Sequence, residues 1–329
     1  MIGSGTRVLV TGAAGFVGSH LCEALVDSGA RVTAMIHYNS RSNLGNLEFV
    51  APAQRSALRI VAGNIEDSDF VIRQVEGQDI VFHLAALIGI PYSYVAPLSY
   101  VRTNVEGTLN VLEAARRFGV ARVVHTSTSE AYGTAISTPM NESHPLQGQS
   151  PYSASKIGAD KVAESYHRSF GVPVATIRPF NIYGPRQSAR AVIPTIISQV
   201  LHGAGVRLGS LEPVRDLTYV ADTVDAFLKI AASDRAVGQV INVGTGRGIG
   251  VGELAHLILR LMNSSASVTF DADRVRPANS EVFTLICDPT KAAEQTGWKA
   301  EWSLEQGLER TIAFVSAHAD MYDPSSYAI

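Results

Sequence analysis

Tyr152 and Lys156 stand four residues apart in Ser150-Pro151-Tyr152-Ser153-Ala154-Ser155-Lys156, a spacing that puts both side chains on one face of a helix. An ammonium held near a phenol stabilises the phenolate and lowers the tyrosine pKa. A tyrosine tuned in this way can take a proton from a sugar hydroxyl as hydride leaves the same carbon. Many ordinary amphipathic helices carry the same spacing, so the rest of the chain must supply a cofactor, a second acid-base group and a substrate site. The stretch Thr126-Ser127-Thr128-Ser129-Glu130 offers the second group, with hydroxyls and a carboxylate that cannot be core without partners.

The elements that position these residues read as an α/β chain. Arg7–Thr11 is a β-branched run that stops at Gly12, as a buried parallel strand would. Further strands are expected over 31–36, 58–64, 79–86, 122–127, 174–180 and 239–244, with a short helix over 68–75 between two of them. A long helix is expected from about Leu98 to Phe118, with an apolar stripe of Val101, Val105, Leu109 and Leu112. Ile90 to Tyr94 reads as an aromatic loop at the carboxyl edge of the sheet, and Asn181 to Arg186 as a segment turning away from it. The fold predicted is a Rossmann-type doubly wound parallel sheet with a smaller C-terminal α/β substrate lobe. Residues 1–180 plus about 214–245 are assigned to the dinucleotide-binding domain. About 181–213 plus 246–329 are assigned to the substrate lobe, with Trp298 and Trp302 packing it and a loose tail from Tyr322.

Composition narrows the class. A chain of 329 residues with 46% hydrophobic and 17% charged side chains reads as an ordinary globular protein of one large or two intimate domains. A net charge of −3 provides no basic field for nucleic acid, so an anionic ligand must be gripped locally. Cys22 and Cys287 are far apart and match no metal spacing, which suits a reducing, cytoplasmic setting and predicts no metal. The short start from Met1 to Thr6, ahead of the first expected strand, carries no signal-peptide pattern, and no apolar run is long enough to span a bilayer.

Gly12-Ala13-Ala14-Gly15-Phe16-Val17-Gly18 between a strand and a helix is the dinucleotide signal: glycines allow a tight turn and let backbone amides approach a pyrophosphate. The adenosine end is expected at the close of the second strand, where NAD-binding chains place an acid. Here Ile36 and His37 are followed by Ser40 and Arg41. The missing carboxylate favours NADP over NAD, with Arg41, Ser40 or His37 on the 2′-phosphate, although Arg41 is as well read as solvated. Asn64 and Ile65 lie where adenine would pass, and Leu84, Ala85, Ala86, Asn104, Thr126 and Pro179 where the rest of the cofactor would run. Arg186, Arg190, Arg207 and Arg215 stand in a region otherwise modest in charge, and any two could hold a diphosphate bidentately. The substrate residues predicted are Tyr92, Thr128, Asn181, Arg190, Arg215 and Arg276.

Together, Gly12/Gly15/Gly18, His83-Leu84-Ala85-Ala86, Asn104-x-x-Gly107-Thr108, Ser127-Thr128, Tyr152/Lys156, Arg178-Pro179-x-Asn181-x-Tyr183-Gly184-Pro185 and Arg215-Asp216 resemble the extended short-chain dehydrogenase/reductase family, nucleotide-sugar branch, over nearly the whole chain. Within it, Leu84 to Tyr94, Thr126 to Thr134, Pro145 to Tyr152 and Gly184 to Arg190 are similar to the retaining-type N-acetylglucosamine 4,6-dehydratases acting on UDP- or GDP-linked sugar. The resemblance implies that Tyr152 takes the 4-hydroxyl proton while a tightly bound, regenerated NAD(P)+ takes the hydride. Lys156 lowers the tyrosine pKa and binds the nicotinamide ribose, and Thr128 orients the 4-oxygen. Glu130 removes the carbon-5 proton and assists loss of the 6-hydroxyl before hydride returns to carbon 6. Where glucose 4,6-dehydratases carry Asp-Glu, this chain carries Ser129-Glu130. That departure keeps UDP-glucuronate decarboxylase as the main alternative, with a 4-epimerase behind it and a non-catalytic dinucleotide-binding module as the reading from another class. The resemblance also implies a homodimer paired through a four-helix bundle, and no nucleic-acid or membrane partner.

Overall fold

The run Arg7–Thr11 forms β1, buried from Val8 onward as an interior parallel strand must be. The computed structural model describes residues 2–203, 205–272 and 282–322. A glycine turn leads from β1 into α1 (Phe16–Asp27) and β2 (Arg31–Ile36). α2 (Pro52–Ser56), β3 (Arg59–Ala62), α3 (Ser68–Val75) and β4 (Ile80–His83) follow. The segment expected to be an aromatic loop is helical instead. Pro91 sits in the first turn of α4 (Ile90–Val95), where its missing N–H costs nothing, and α5 (Pro97–Tyr100) follows at once. The expected long helix is present but not uniform: after α5, Val101–Glu106 widens into a π-helical turn before α6 (Gly107–Phe118). Gly119 ends it at φ 63°, in the left-handed conformation.

β5 (Arg122–Thr126), α7 (Pro151–Phe170) and β6 (Val174–Pro179) complete the part nearest the predicted chemistry. Asn181 leaves the large sheet as expected but remains extended. Asn181–Tyr183 forms β7, followed by α8 (Val192–Leu201), β8 (Val206–Leu208), β9 (Val214–Tyr219), α9 (Val220–Ala232) and β10 (Val240–Val243). The rest comprises β11 (Gly248–Gly250), α10 (Val251–Leu261), β12 (Val268–Phe270), β13 (Thr284–Leu285), α11 (Thr290–Thr296) and α12 (Leu304–Ala317).

Seven parallel strands run in the order β10-β6-β5-β4-β1-β2-β3. Chain order reverses between β1 and β4, and that switch opens a crevice at the carboxyl edge. Alternate residues feed opposite layers. Val8, Val10, Phe82 and Val124 join the core shared with α1, α9 and the second lobe, whereas Leu9, Val81 and Val123 join the core shared with α3 and α6. Within the stretch from about 214 to 245, α9 and β10 pack with the large sheet, while β9 pairs with β7, β11 and β13 in a smaller one. Trp298 is buried and donates from its indole N–H to the Asp222 carbonyl at 2.8 Å; Trp302 lies against Tyr219 at a centroid distance of 4.5 Å. Arg276, and the residues after Tyr322 expected as a loose tail, lie outside the described residues. No helix among the described residues is long and apolar enough to cross a membrane, and no cluster of His, Cys, Asp or Glu among them could hold a metal.

Candidate active site

The carboxyl edge of the large sheet and the second lobe enclose a cleft of about 860 Å³. Gly12 floors it at φ +72°, and a Cβ there would stand 2.8 Å from the Ala85 amide nitrogen. A Cβ at Gly18 would meet the Gly12 carbonyl oxygen at 2.3 Å, so α1 can start this close to β1 only with glycine there. Gly15 is the N-cap residue of α1 and has no side chain to occupy the helix start, which leaves the first amides to a ligand. Gly12, Gly15, Phe16, Val17 and Gly18 line the cleft, as do Leu84, Ala85, Ala86, Thr126 and Pro179. Thr126 Oγ1 is buried without a partner on that wall. Open helix amides, a glycine floor and an unpartnered hydroxyl fit a dinucleotide.

At the adenosine end, His37 lines the cleft; Ser40 and Arg41 are exposed on the following loop and do not line it. Asn64 is exposed, and Ile65 is buried beneath Gly107, where a Cβ would come within 2.8 Å of its Cγ2. Asn104 is also turned away from the cleft. Its amide accepts from Leu87 N–H at 2.9 Å and donates to the Leu87 carbonyl at 3.0 Å and Ser155 Oγ at 2.9 Å, so it braces two elements.

Tyr152 projects into the cleft from the first turn of α7, whose start is fixed by a reciprocal cap. Ser150 Oγ accepts from Ser153 N–H at 3.1 Å, and Ser150 N–H donates to Ser153 Oγ at 2.9 Å. Pro151 occupies the adjoining position. Thr128, Ser129 and Glu130 line the same cleft from the end of β5. Lys156 lies under this wall, and its ammonium donates to the Thr126 carbonyl at 2.6 Å. The expectation that Lys156 lowers the Tyr152 pKa is not met in the protein alone. Burial pushes the phenol well above its usual value, the nearby Glu130, Asp160 and Tyr100 add to that, and a hydrogen bond from Thr128 opposes it. The ammonium is spent on a backbone carbonyl because a buried cation must find an acceptor. Burial also lowers Lys156 itself, to about 8, against the pull of Asp160.

Sequence reasoning missed what stands beneath this pair. Asp160 is one further turn along α7 from Lys156. Its carboxylate accepts from His125 Nε2–H at 3.0 Å, Ser127 Oγ–H at 2.6 Å and an Arg178 N–H at 2.7 Å. Burial alone would raise Asp160, but these donors and the guanidinium hold it far below the usual carboxylate range. Arg178 also donates to Ser127 Oγ at 3.2 Å and lies 4.6 Å from the centre of the Tyr132 ring. Strand register sets Thr11, His83 and His125 side by side. Thr108 gives its hydroxyl proton to the Asn104 carbonyl and therefore accepts from His83 Nε2–H at 3.0 Å, while Thr11 donates to Nδ1 at 2.9 Å. That arrangement holds His83 neutral, and burial lowers its pKa accordingly. The signal available in the sequence was the i, i+4, i+8 series Tyr152, Lys156, Asp160.

On the opposite wall, Asn181, Arg190 and Arg215 line the cleft, and Asn181 Oδ1 is buried without a partner. Arg215 donates to the Val214 carbonyl at 3.1 Å. Arg186 cannot hold a diphosphate. Both its terminal nitrogens pair with Glu23 at 2.8 Å, which ties the second lobe to α1. Arg207 is exposed in the middle of β8 and does not line the cleft, and Tyr92 lies beside Tyr100 rather than on the cleft wall. Arg276 lies outside the described residues.

Comparison with known proteins bears on this arrangement. The family model described as GDP-mannose 4,6 dehydratase matches residues 9–311. A dTDP-glucose 4,6-dehydratase of Streptomyces griseus is 35% identical over 325 residues, covering 97% of this chain and 97% of that one. The crystal structure of DesIV, a dTDP-glucose 4,6-dehydratase from Streptomyces venezuelae with NAD and TYD bound, superposes with a TM-score of 0.88 at 31% identity, covering 97% and 99% of the two chains. A UDP-N-acetylglucosamine 4-epimerase from Methanobrevibacter ruminantium, in complex with UDP-N-acetylmuramic acid, gives 0.87 at 30% identity over 96% and 99%.

Proposed function

The chain belongs to the GDP-mannose 4,6-dehydratase family within the extended short-chain dehydrogenases/reductases, and from that premise we propose that it dehydrates a nucleotide-diphosphate sugar across carbons 5 and 6. The observation that carries this reading is the presence of two separate acid-base groups, Tyr152 and Glu130, on one cleft wall. A 4-epimerase needs only the first. Dehydration needs both, because the carbon-5 hydrogen becomes acidic only once carbon 4 is a ketone. Tyr152 accepts the 4-hydroxyl proton, and the Thr128 hydroxyl orients the 4-oxygen. Glu130 then takes the carbon-5 proton and returns a proton to the departing 6-hydroxyl, so that water leaves and a carbon 5–carbon 6 double bond forms. The glycine turn from Gly12 to Gly18 and the Thr126 hydroxyl would hold NAD(P)+, which would supply reversible hydride acceptance and a positive charge to offset the burial penalty on the phenolate.

The substrate proposed is UDP- or GDP-N-acetylglucosamine, because Ser129 stands where glucose 4,6-dehydratases place the proton-donating aspartic acid. Asn181 and Arg190, from the lobe formed by about 181–213 and the chain after 246, and Arg215, from β9, are assigned to its diphosphate end. The decarboxylase alternative loses one of its two cations, since Arg186 is committed to Glu23. NADP is favoured over NAD because no carboxylate closes β2 and Arg41 stands exposed beyond it. If that is right, Arg41→Ala weakens NADP binding several-fold and leaves NAD binding unchanged; equal effects on both remove Arg41 from the role. Leu98, Val101 and Leu109 are 60%, 50% and 40% exposed, an apolar stripe suited to pairing with a second copy through α6 and α7. A monomer mass in light scattering would refute that pairing.

The decisive experiment incubates the enzyme with UDP-N-acetylglucosamine, GDP-N-acetylglucosamine, dTDP-glucose and UDP-glucuronate and reads product mass. Loss of water is expected, loss of carbon dioxide means decarboxylation, and turnover without mass change means epimerisation. Glu130→Gln is expected to accumulate the reduced-nicotinamide absorbance band without losing water. A variant that still eliminates at the parental rate removes Glu130 from the mechanism.

A further inference from the structure

Tyr152 and Lys156 lie on α7 while Thr128 and Glu130 lie at the end of β5, so their relative placement depends on what joins those two elements. Besides the Lys156 bond to the Thr126 carbonyl, the join rests on one buried carboxylate. Asp160, on α7, takes hydrogen bonds from His125 and Ser127 on and just beyond β5, and from Arg178 on β6. All four side chains are buried, and none projects from the wall as an acid-base group in the mechanism above.

We propose that Asp160 is a positioning residue for the reaction, locking the end of β5 to α7 and holding a negative charge one helical turn from the Lys156 ammonium. The charged and titratable groups facing Lys156 are few. His83 comes from β4 and His125 from β5, and both rings are kept neutral by burial; Arg178 from β6 is already paired with Asp160. Tyr152 lies on the same helix, and Glu130 faces the Tyr152 phenol from the end of β5. Asp160 is therefore the anion that opposes the burial penalty on Lys156, which with Asp160 in place still sheds its proton near pH 8. The inference rests on reading Tyr152 and Lys156 as the reacting pair, and its test includes a measurement that needs no turnover.

Because Lys156 holds its proton less tightly folded than unfolded, the unfolded chain binds more protons between about pH 8 and about 10.4, and stability contributed by this group rises with pH across that window. Urea unfolding against pH should show the rise in the parent protein and lose it in Lys156→Met. Asp160→Asn, and the double variant Asp160→Asn/Arg178→Gln that removes both buried charges together, should start the rise about one pH unit lower. The alkaline limb of kcat/KM should move the same way. Asp160→Glu should keep both near the parental pH while lowering kcat, and Ser127→Ala should move neither. Folded neutral variants with the window and limb unmoved would overturn the proposal. Should neither neutral variant fold, loss of the window in Asp160→Glu would overturn it and retention would support it.

Discussion

Under the wall formed by β5 and α7, the charged side chains are already engaged: Asp160 holds three donors, Arg178 is paired and Lys156 has its carbonyl. Across the cleft, Asn181 Oδ1 is buried and unpartnered, and Arg190 and Arg215 line the same wall. The difference matches what the proposed dehydration asks of each wall. Acid-base groups act only if their separation is fixed before the substrate arrives, so their supports are satisfied by the protein. A binding wall gains affinity by leaving polar atoms for the ligand to complete.

Substitutions can sharpen that contrast. Tyr152→Phe, on the preorganised wall, should lower kcat by a factor on the order of 10² or more with an unchanged unfolding transition. An active variant would remove the tyrosine from the chemistry. On the binding wall, Arg215→Ala should instead raise KM about tenfold or more with a smaller change in kcat, the scale of one lost charge-assisted contact. A fall in kcat alone would place Arg215 with the reacting groups and break the comparison. Arg186→Ala, which belongs to neither wall, should lower the melting temperature and leave KM close to the parent value, since its partner is Glu23.

The smallest effect expected is a slope. His83 and His125 are held neutral in the fold, so below about pH 6.5 the unfolded chain binds protons that the folded one resists. Stability from this pair is therefore present above that pH and lost as pH falls. Asp160 adds a loss at lower pH, because its carboxyl is held below its unfolded value. His83→Gln should flatten the upper part of the acid limb in urea titrations; an unchanged limb would mean that the two rings do not resist protonation.

The same contrast explains what was legible in the sequence. β1, β2 and α3 fall on their predicted bounds, because β-branched runs and amphipathic periodicity are local signals. Tyr152, Glu130 and Gly12 converge on the cleft as short motifs promised. The arginines could not be sorted, because whether Arg186 meets Glu23 or a ligand depends on residues about 160 positions apart meeting in space. Asp160 was overlooked for a similar reason: its donors come from β5 and β6, and a lone acid in a helix looks solvated until those strands are placed. Ile90 to Tyr94 reads as a loop from its aromatics, whereas Pro91 is at home in the first turn of a helix over Ile90–Val95.

The π-helical turn at Val101–Glu106 carries a consequence of phase. Such a turn holds about one residue more than an α turn, which rotates everything beyond it by about 100°. The rotation lets one helix serve as a shaft with two bearings: Asn104 grips Leu87 and Ser155 on the inner side, while Val101 and Leu109 remain on the outer. Any load on the outer bearing is therefore transmitted to the loop that follows Ala85 and to the first turns of α7. Removing one residue from the turn would throw the two bearings out of alignment without touching a single group that lines the cleft.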